Sequence, residues 1–373
     1  MRCMGPVPGL TAAALWLGLG VAAGQPAAAQ HKWEIEFHSG ETLASAPEGG
    51  TGALPGPGPT IAPRFTIPTG FSASRVVSSW YFGDGAAQLN QAASSLHLAG
   101  HLTPLDPVLE SPFVQRVAGG DVGLRVARVL TGRLAAEFTF DYSLGTLALT
   151  STSVAGIEAS RAGFVAAWNA VLAAPSRGTR TVSSVATISD RRGRQTVSAG
   201  TVLINVLSPR RLTPYAALGA GLISNLHTPP SAVLVGDYQF AIVLPPGSPA
   251  RVALPAFHET DTVTVRSRVD NAVTGIFGGG LKYALTGRWG VRIDVRDRLN
   301  ANTISTTIDA TPSSAAPALR SILTIGTNPP LQFSTLPGVP SNLSGAPISG
   351  FKTFTGTGIE HHVDVTAGLC WRF

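Results

Sequence analysis

GIFGGGLKYALTGRWGVRIDVRDRL, from Gly275 to Leu299, is the stretch on which the fold turns. Phe277, Leu281 and Tyr283 on its first arm, and Trp289, Val291, Ile293 and Val295 on its second, fall on one parity. On the other parity stand Lys282, then Arg292, Asp294 and Arg296. A period of two is that of a β-strand with unlike faces, here one uncharged and one carrying both signs. The short LTGR segment between the arms makes the whole a hairpin.

Two further stretches have the same form, VLTGRLAAEF around Leu130 and VLSPRRLTPY around Leu207. With ALTGRWGVRI around Leu285 they recur about 77 residues apart, a period to be tested as an internal repeat. The intervals between hairpins are rich in Thr, Ser, Pro and Gly and are much longer than ordinary loops. Short connections at one end and long ones at the other describe an up-and-down barrel with its two ends in different media. Adding KWEIEFH from Lys32 and the alternating VDVTAGLCWRF that ends at Phe373 gives eight strands. They lie near 32–38, 119–129, 133–143, 195–207, 214–224, 271–284, 288–299 and 359–373, with outer loops near 40–117, 144–194, 225–270 and 300–358. An even number lets the last strand pair with the first, leaving no edge. The expected fold is all-β: an eight-stranded antiparallel up-and-down transmembrane β-barrel with long extracellular loops, one of them containing an α-helix.

The two faces are consistent from strand to strand. The uncharged set includes Trp33, Ile35, Phe37, Val122, Leu124, Val126, Phe138, Phe140, Val202 and Ile204. The charged set includes Glu34, Glu36, His38, Arg125, Glu137, Thr139, Asp141, Asn205, His362, Asp364 and Arg372. Alternation alone fits either a soluble barrel with its charges outside or a lipid-facing barrel with them inside. Aromatic residues at the strand ends and an exported chain favour lipid.

Export is read from the first residues. Arg2, the apolar run LTAAALWLGLGVAA and the small residues of AAAQ form a signal peptide over 1–29, so the mature chain is expected to begin near Gln30 or His31. The run is shorter than a spanning helix needs, and no other stretch is long and apolar enough for one. Cys3 precedes the apolar run, and its removal leaves Cys370 as the lone thiol, so no internal disulfide can form. Charged residues make up 13%, about half the usual share, too few to cover a conventional wet surface. The net charge of +6 is not organised into a basic run interleaved with aromatics, which argues against nucleic acid.

The signal peptide, the eight alternating strands, the Gly275 to Leu299 hairpin and the ending GLCWRF resemble the outer-membrane β-barrel superfamily of Gram-negative bacteria, of the outer-membrane protein A type. SSWYFGDGAAQLNQ and FTFDYSLGTLALT also look like a subgroup from environmental bacteria with no assigned activity. The resemblance implies that Phe373 and the alternate apolar residues before it are read by the barrel-insertion machinery. The peptidoglycan-binding domain that follows the barrel in some relatives is absent here, and the loops are longer than in the smallest members.

An eight-stranded bore is just wide enough for side chains to fill. Glu34, Glu36, Arg125, Glu137, Asp141, Lys282, Arg292, Asp294 and Arg296 therefore read first as a buried ionic packing network, and second as the lining of a narrow ion path. No catalytic, cofactor-binding or metal-binding residue is assigned. His361 and His362, being adjacent on a strand, face opposite ways and cannot share a metal. His362 and Asp364 share a face, but no nucleophile motif accompanies them. FGGGLK and GDG lack the helix and Lys-Ser/Thr of a phosphate cradle.

The long loops hold what is specific to this chain. The low-complexity APEGGTGALPGPGPTIAP leads into SRVVSSWYFGDGAAQLN, whose aromatic residues suit either a lid over the barrel mouth or a packed loop. In TSVAGIEASRAGFVAAWNAVLAA, Val154, Ile157, Arg161, Phe164, Val165, Trp168, Val171 and Leu172 recur at helical spacing, with Thr152 or Ser153 as cap. Arg177, Arg180, Arg191, Arg192 and Arg194 follow; they form either a solvated basic loop or a site for lipopolysaccharide phosphates. Three functions remain: a structural or surface-interaction barrel, a narrow small-solute pore, and an outer-membrane lipid-modifying enzyme.

Overall fold

The computed structural model describes residues 32–45, 50, 52–61, 74–173, 178–189, 191–226, 228–241, 256–301, 303–314, 322–324, 331–334, 340–356 and 358–373. The expected signal peptide over 1–29 lies outside the described residues, as does part of the low-complexity segment. The main strands are β1 (Trp33–Ala44), β2 (Gly119–Val129), β3 (Leu134–Ser143), β4 (Thr179–Ser189), β5 (Gln195–Asn205), β6 (Leu212–Asn225), β7 (Ser231–Ala241), β8 (Ala256–Val269), β9 (Ala272–Ala284), β10 (Trp289–Asn300), β11 (Ile304–Ser314), β12 (Ile348–Gly356) and β13 (Glu360–Arg372). The helices are α1 (Gly83–Ser95), α2 (Asp106–Leu109) and α3 (Ser151–Ala173).

Eight strands close a barrel in the order β1-β13-β10-β9-β6-β5-β3-β2, each antiparallel to its neighbours. Trp371 of β13 stands opposite Ile35 of β1 on one side and Trp289 of β10 on the other, so the last strand is paired along both edges. β1 runs to Ala44, past the His38 at which the alternation read from sequence stops.

The long loops are not loose. Five of their segments form a second antiparallel sheet in the order β12-β11-β8-β7-β4. Each of these strands lies next in the chain to a barrel stave, and the order is that of β13, β10, β9, β6 and β5. Backbone hydrogen bonds carry the ladder across the joints: Leu226 N–H to Arg194 O at 2.9 Å and Asp270 N–H to Thr303 O at 3.0 Å. Short rungs at Val114–Val117, Thr146–Leu149 and Arg191–Arg192 extend β2, β3 and β5 in the same sense. The lobe is thus an upward continuation of the barrel wall.

Polarity inverts at the joints, and this decides between the two readings of the alternation. On β10, Val291, Ile293 and Val295 face outward and are exposed while Arg292, Asp294 and Arg296 are buried inside. On β11, the continuation of that stave, Ile308 and Ala310 point inward and are fully buried, with Thr307, Asp309 and Thr311 outside. A wall that obeys the ordinary water rule in its upper part and reverses it below is built for water above and lipid below. Phe37, Leu218 and Val273 on the lower wall are 69%, 65% and 68% exposed, an apolar surface no soluble domain leaves uncovered.

The lobe has its own core. α3 lies against β4 and β7, with α1 and α2 packed on it. Trp168 of α3 stacks on Tyr238 of β7 at 3.9 Å and meets Trp80 edge-on at 5.3 Å, while Phe257 stacks on Phe333 at 4.0 Å. Trp80 and Tyr81 of the first loop are fully buried, so this aromatic segment is a packed loop. Gly236 of β7 makes the close approach of Tyr81 and Phe164 possible, since a Cβ there would fall 2.4 Å from Phe164 Cζ. The buried stripe of α3 differs in part from the one expected: Ser153, Ser160, Gly163 and Ala167 join Ile157, Phe164, Trp168, Val171 and Leu172, whereas Val154 is exposed and Arg161 pairs with Glu158 at the surface. Its cap is Thr150, not Thr152 or Ser153. The preceding rung leaves Thr150 just outside the helix, and its Oγ1 accepts the Ser153 N–H at 3.1 Å.

Candidate functional site: the barrel interior and its roof

Inward-facing positions of the eight staves bring the charged set together. At the short-turn end Glu34 accepts from Lys282 Nζ at 2.6 Å and from Arg372 Nε at 2.9 Å. Above it, Arg292 donates to Glu36 at 3.0 Å and to Glu137, and its Nε lies 2.8 Å from Asp294. The Tyr215 ring lies 4.6 Å from this guanidinium, and the Tyr215 hydroxyl donates to Asp294. Arg125 joins Glu36 at 2.8 Å, Asp294, and Thr366 at 3.1 Å; Arg296 donates to Glu137 at 2.7 Å. Interior glycines make room for this bulk: a Cβ on Gly280 would lie 2.5 Å from the Tyr215 hydroxyl. Each carboxylate meets two or more cationic or hydroxyl donors, which is what burial of so many charges requires.

A second tier lies toward the lobe. Arg298 donates to Asp364 and, at 3.2 Å, to Thr42, and lies 3.7 Å from Asp121; both of those carboxylates lie within reach of the single Thr42 hydroxyl proton. His38 Nε2 is 2.8 Å from Asp141. Asp121, Arg125, Asp141, Arg296, Arg298 and Asp364 line a cavity of ≈ 10 Å³, space for about one water. Arg116, on the rung above, closes the mouth by donating to Gly193 O at 2.7 Å. Burial in this roof lowers the Arg116 guanidinium to about 10.

Glu34, Glu36 and Cys370 bring their ligand atoms within 4.8 Å of one another. They do not suit a metal ion, because Lys282, Arg372, Arg125 and Arg292 already neutralise both carboxylates. His361 points out of the barrel to Asp297 at 2.8 Å, while His362 points in to Glu360 at 3.2 Å. Asp364 is engaged by Arg298 and Thr42, so the shared face of His362 and Asp364 does not make them a pair. Of the basic loop, Arg180 is exposed and Arg194 half-buried; Arg177 and the side chains of Arg191 and Arg192 lie outside the described residues.

Sequence reasoning missed Tyr215, Arg298, Asp121 and Thr42 as members of the interior. Arg298 and Asp121 share parity with Arg296 and Arg125 and could have been found by extending the count. Tyr215 stands among small residues in TPYAALGAG, where no alternation is visible.

The lobe holds a second, unexpected group. Glu259 and Asp261, two apart on the inner face of β8, are 1% and 0% exposed. Tyr238 donates to Glu259, and Asp261 accepts from Ser79 Oγ at 3.0 Å and Trp80 N–H at 2.6 Å. Among the described residues neither forms an ion pair. Burial raises both carboxyls to about 7 and pushes the Tyr238 phenol well above its usual range.

No family model and no curated protein matches the chain. Among solved structures, the outer membrane protein OprG of Pseudomonas aeruginosa aligns over 91% of this chain and 96% of its own, at 9% identity and a TM-score of 0.33. The COG4313 outer membrane channel of Pseudomonas putida F1 aligns over 95% and 100%, at 10% identity and a TM-score of 0.23. Likenesses of that size carry no argument by themselves. The closed eight-stranded antiparallel barrel, with its apolar exterior and ionic interior, rests on the strand pairing and burial described above.

Proposed function

We propose that the chain is an outer-membrane β-barrel of the outer-membrane protein A type, acting as a closed anchor that presents a folded lobe at the cell surface. The observation that carries this reading is the filling of the bore: Arg292, Arg125 and Arg296 interlock with Glu36, Glu137 and Asp294 from wall to wall. A solute would have to break several buried ion pairs and then pass the Arg116 guanidinium at the mouth. The test is single-channel conductance of the refolded protein in a planar bilayer, after the heat-dependent gel shift of a closed barrel has been seen. A silent bilayer is expected; discrete, reproducible steps would replace the anchor with a narrow pore. No step of chemistry is assigned to the interior residues.

The same reading supplies partners. Lipid meets the apolar wall, and the insertion machinery reads β13 with its final Phe373. Lipopolysaccharide phosphates meet the lobe-side arginines, of which Arg180 and Arg194 are placed. Arg180→Gln with Arg194→Gln should lower lipopolysaccharide retention on purification, and unchanged retention would remove that partner.

A further inference from the structure

The exposed side chains at the short-turn end of the barrel carry charge of one sign. Lys32 precedes β1, Arg128 is the last residue but one of β2, Arg133 lies in the β2–β3 turn, Arg210 and Arg211 in the β5–β6 turn, and Arg288 in the β9–β10 turn. All six are exposed. Over 127–135, 205–213 and 283–290 there is no Asp or Glu. Two carboxylates lie at this level: Glu34, buried and held by Lys282 and Arg372, and the terminal carboxylate of Phe373 beside Trp33, so the exposed cations outnumber the exposed anion. The joints at the opposite end are mixed, with Asp270, Asp297 and Glu360 beside Arg266, Arg268 and Arg298.

These cations sit at a fixed height. In two turns the residues Thr-Gly-Arg recur, and the threonine hydroxyl accepts two backbone N–H groups: Thr131 from Arg133 at 3.2 Å and Leu134 at 3.0 Å, Thr286 from Arg288 at 3.3 Å and Trp289 at 3.0 Å. In the third turn Thr213 Oγ1 accepts from Arg210 N–H at 3.2 Å. At the same end of the wall lies an arc of aromatics on the four adjacent staves β1, β13, β10 and β9: Trp33, Trp371 with Phe373, Trp289 and Tyr283. Arg128 stacks over Trp33 at 5.5 Å and Arg211 over Tyr283 at 5.2 Å, so two of the guanidiniums are tied to the arc.

Aromatics clustered at a strand end in this way lie at the boundary of hydrocarbon and headgroup, and the layer immediately beyond them is that of the lipid phosphates. Guanidinium groups bind phosphate oxygens in a bidentate manner, and clustered cations near a surface favour anionic over zwitterionic lipid. We propose that the short-turn end is a collar for anionic phospholipid, in which Lys32, Arg128, Arg133, Arg210, Arg211 and Arg288 engage phosphodiester headgroups of the leaflet facing the turns. This rests on the membrane-barrel reading. The collar gives the barrel a fixed depth and a preferred lipid on one side.

The test uses the full mature chain refolded into vesicles of phosphatidylcholine alone or of phosphatidylcholine mixed equally with phosphatidylglycerol. Insertion is scored by the heat-dependent gel shift, and lipid retained after gentle detergent extraction is identified by mass spectrometry. The wild type should enrich phosphatidylglycerol over phosphatidylcholine by about fivefold or more, a preference that molar salt abolishes by screening. The combination Arg133→Gln, Arg210→Gln, Arg211→Gln and Arg288→Gln should bring the ratio close to that of the bulk lipid, whereas Arg266→Gln with Lys352→Gln on the exposed face of the lobe sheet should leave it unchanged. Equal retention of the two lipids by a wild type that inserts overturns the collar and leaves the barrel reading intact. Failure to insert into either vesicle overturns the barrel reading itself. Loss of preference in the lobe variant, or its persistence in the quadruple turn variant, also overturns the collar. If the quadruple turn variant does not refold, the salt dependence of the wild type decides.

Discussion

Replacing Asp261 by asparagine should stabilise the lobe most at pH 8, less at pH 5, and hardly at all below about pH 4. Asp261 has an ordinary value of 3.8 and is raised by burial to about 7; Glu259 moves from 4.5 to about 7 for the same reason. In the folded lobe each carboxyl holds its proton more tightly than in the unfolded chain. Folding therefore takes up protons between roughly pH 4 and 7; the stability so gained is full at acid pH and is lost as pH rises through about 7. At roughly 1.4 kcal/mol per pH unit, the displacement of Asp261 costs the ionised lobe about 4 kcal/mol, and that of Glu259 about 3 kcal/mol. The two titrate against each other, so the measured total falls short of the sum. The groups around them offer no cation: Tyr238, Trp80 and Ser79 donate hydrogen bonds. An asparagine in place of Asp261 would keep the Ser79 and Trp80 bonds through its carbonyl oxygen and cannot ionise. The assay is urea unfolding of the lobe in the refolded, micelle-bound protein, followed by protease cleavage within the loops, with the heat-shifted gel band as an independent measure of the barrel. A wild-type lobe midpoint that is the same at pH 5 and pH 8, with Asp261→Asn less stable at both, would refute the reasoning.

Arg292→Ala leaves Glu36, Glu137 and Asp294 with one counter-ion fewer inside the wall, and should cost about 3 to 5 kcal/mol, read as a lower temperature for the gel shift. An unchanged transition would count against the network, and Arg292→Met combined with Glu137→Gln should lose less than the two changes summed. Trp168→Ala removes the ring that stacks on Tyr238 and should cost the lobe about 3 to 5 kcal/mol while the barrel transition stays in place. A fall in both together would mean that lobe and barrel are one cooperative unit.

The barrel was legible because its staves alternate over long stretches with charge on one parity, as Trp289 to Arg296 does most plainly. The lobe sheet was not, although SAVLVGDYQFA and HETDTVTVRSRV alternate as clearly. Their outward residues mix Thr, Ser and Val with Asp237, Gln239, His258, Arg266 and Arg268, and Glu259 and Asp261 stand on the inward parity, so the contrast that marks a stave is blurred; they also lie in intervals whose Pro and Gly content reads as loop. Glu259 and Asp261 share parity with Phe257, Val263 and Val265, which is the one sequence sign that they face inward. That nothing cationic meets them there depends on which distant segments close over β8, and no local pattern encodes it. Among the interior residues, the second tier was lost because Thr42 and Asp121 lie where β1 and β2 pass beyond the hydrophobic alternation.

The lobe core draws on all four long connections: Trp80 from the first, Trp168 from the second, Tyr238 from the third, Ile308 and Phe333 from the fourth. Each connection lays its apolar face against the others, so in the proposed surface-lobe arrangement each would cross the bilayer before it folds, and none would jam the crossing by folding early. Once the last has arrived, the four lock together on the far side into a body wider than any single thread. Withdrawal would then require unfolding all of them at once, so assembly of the lobe works as a ratchet that makes the crossing one-way.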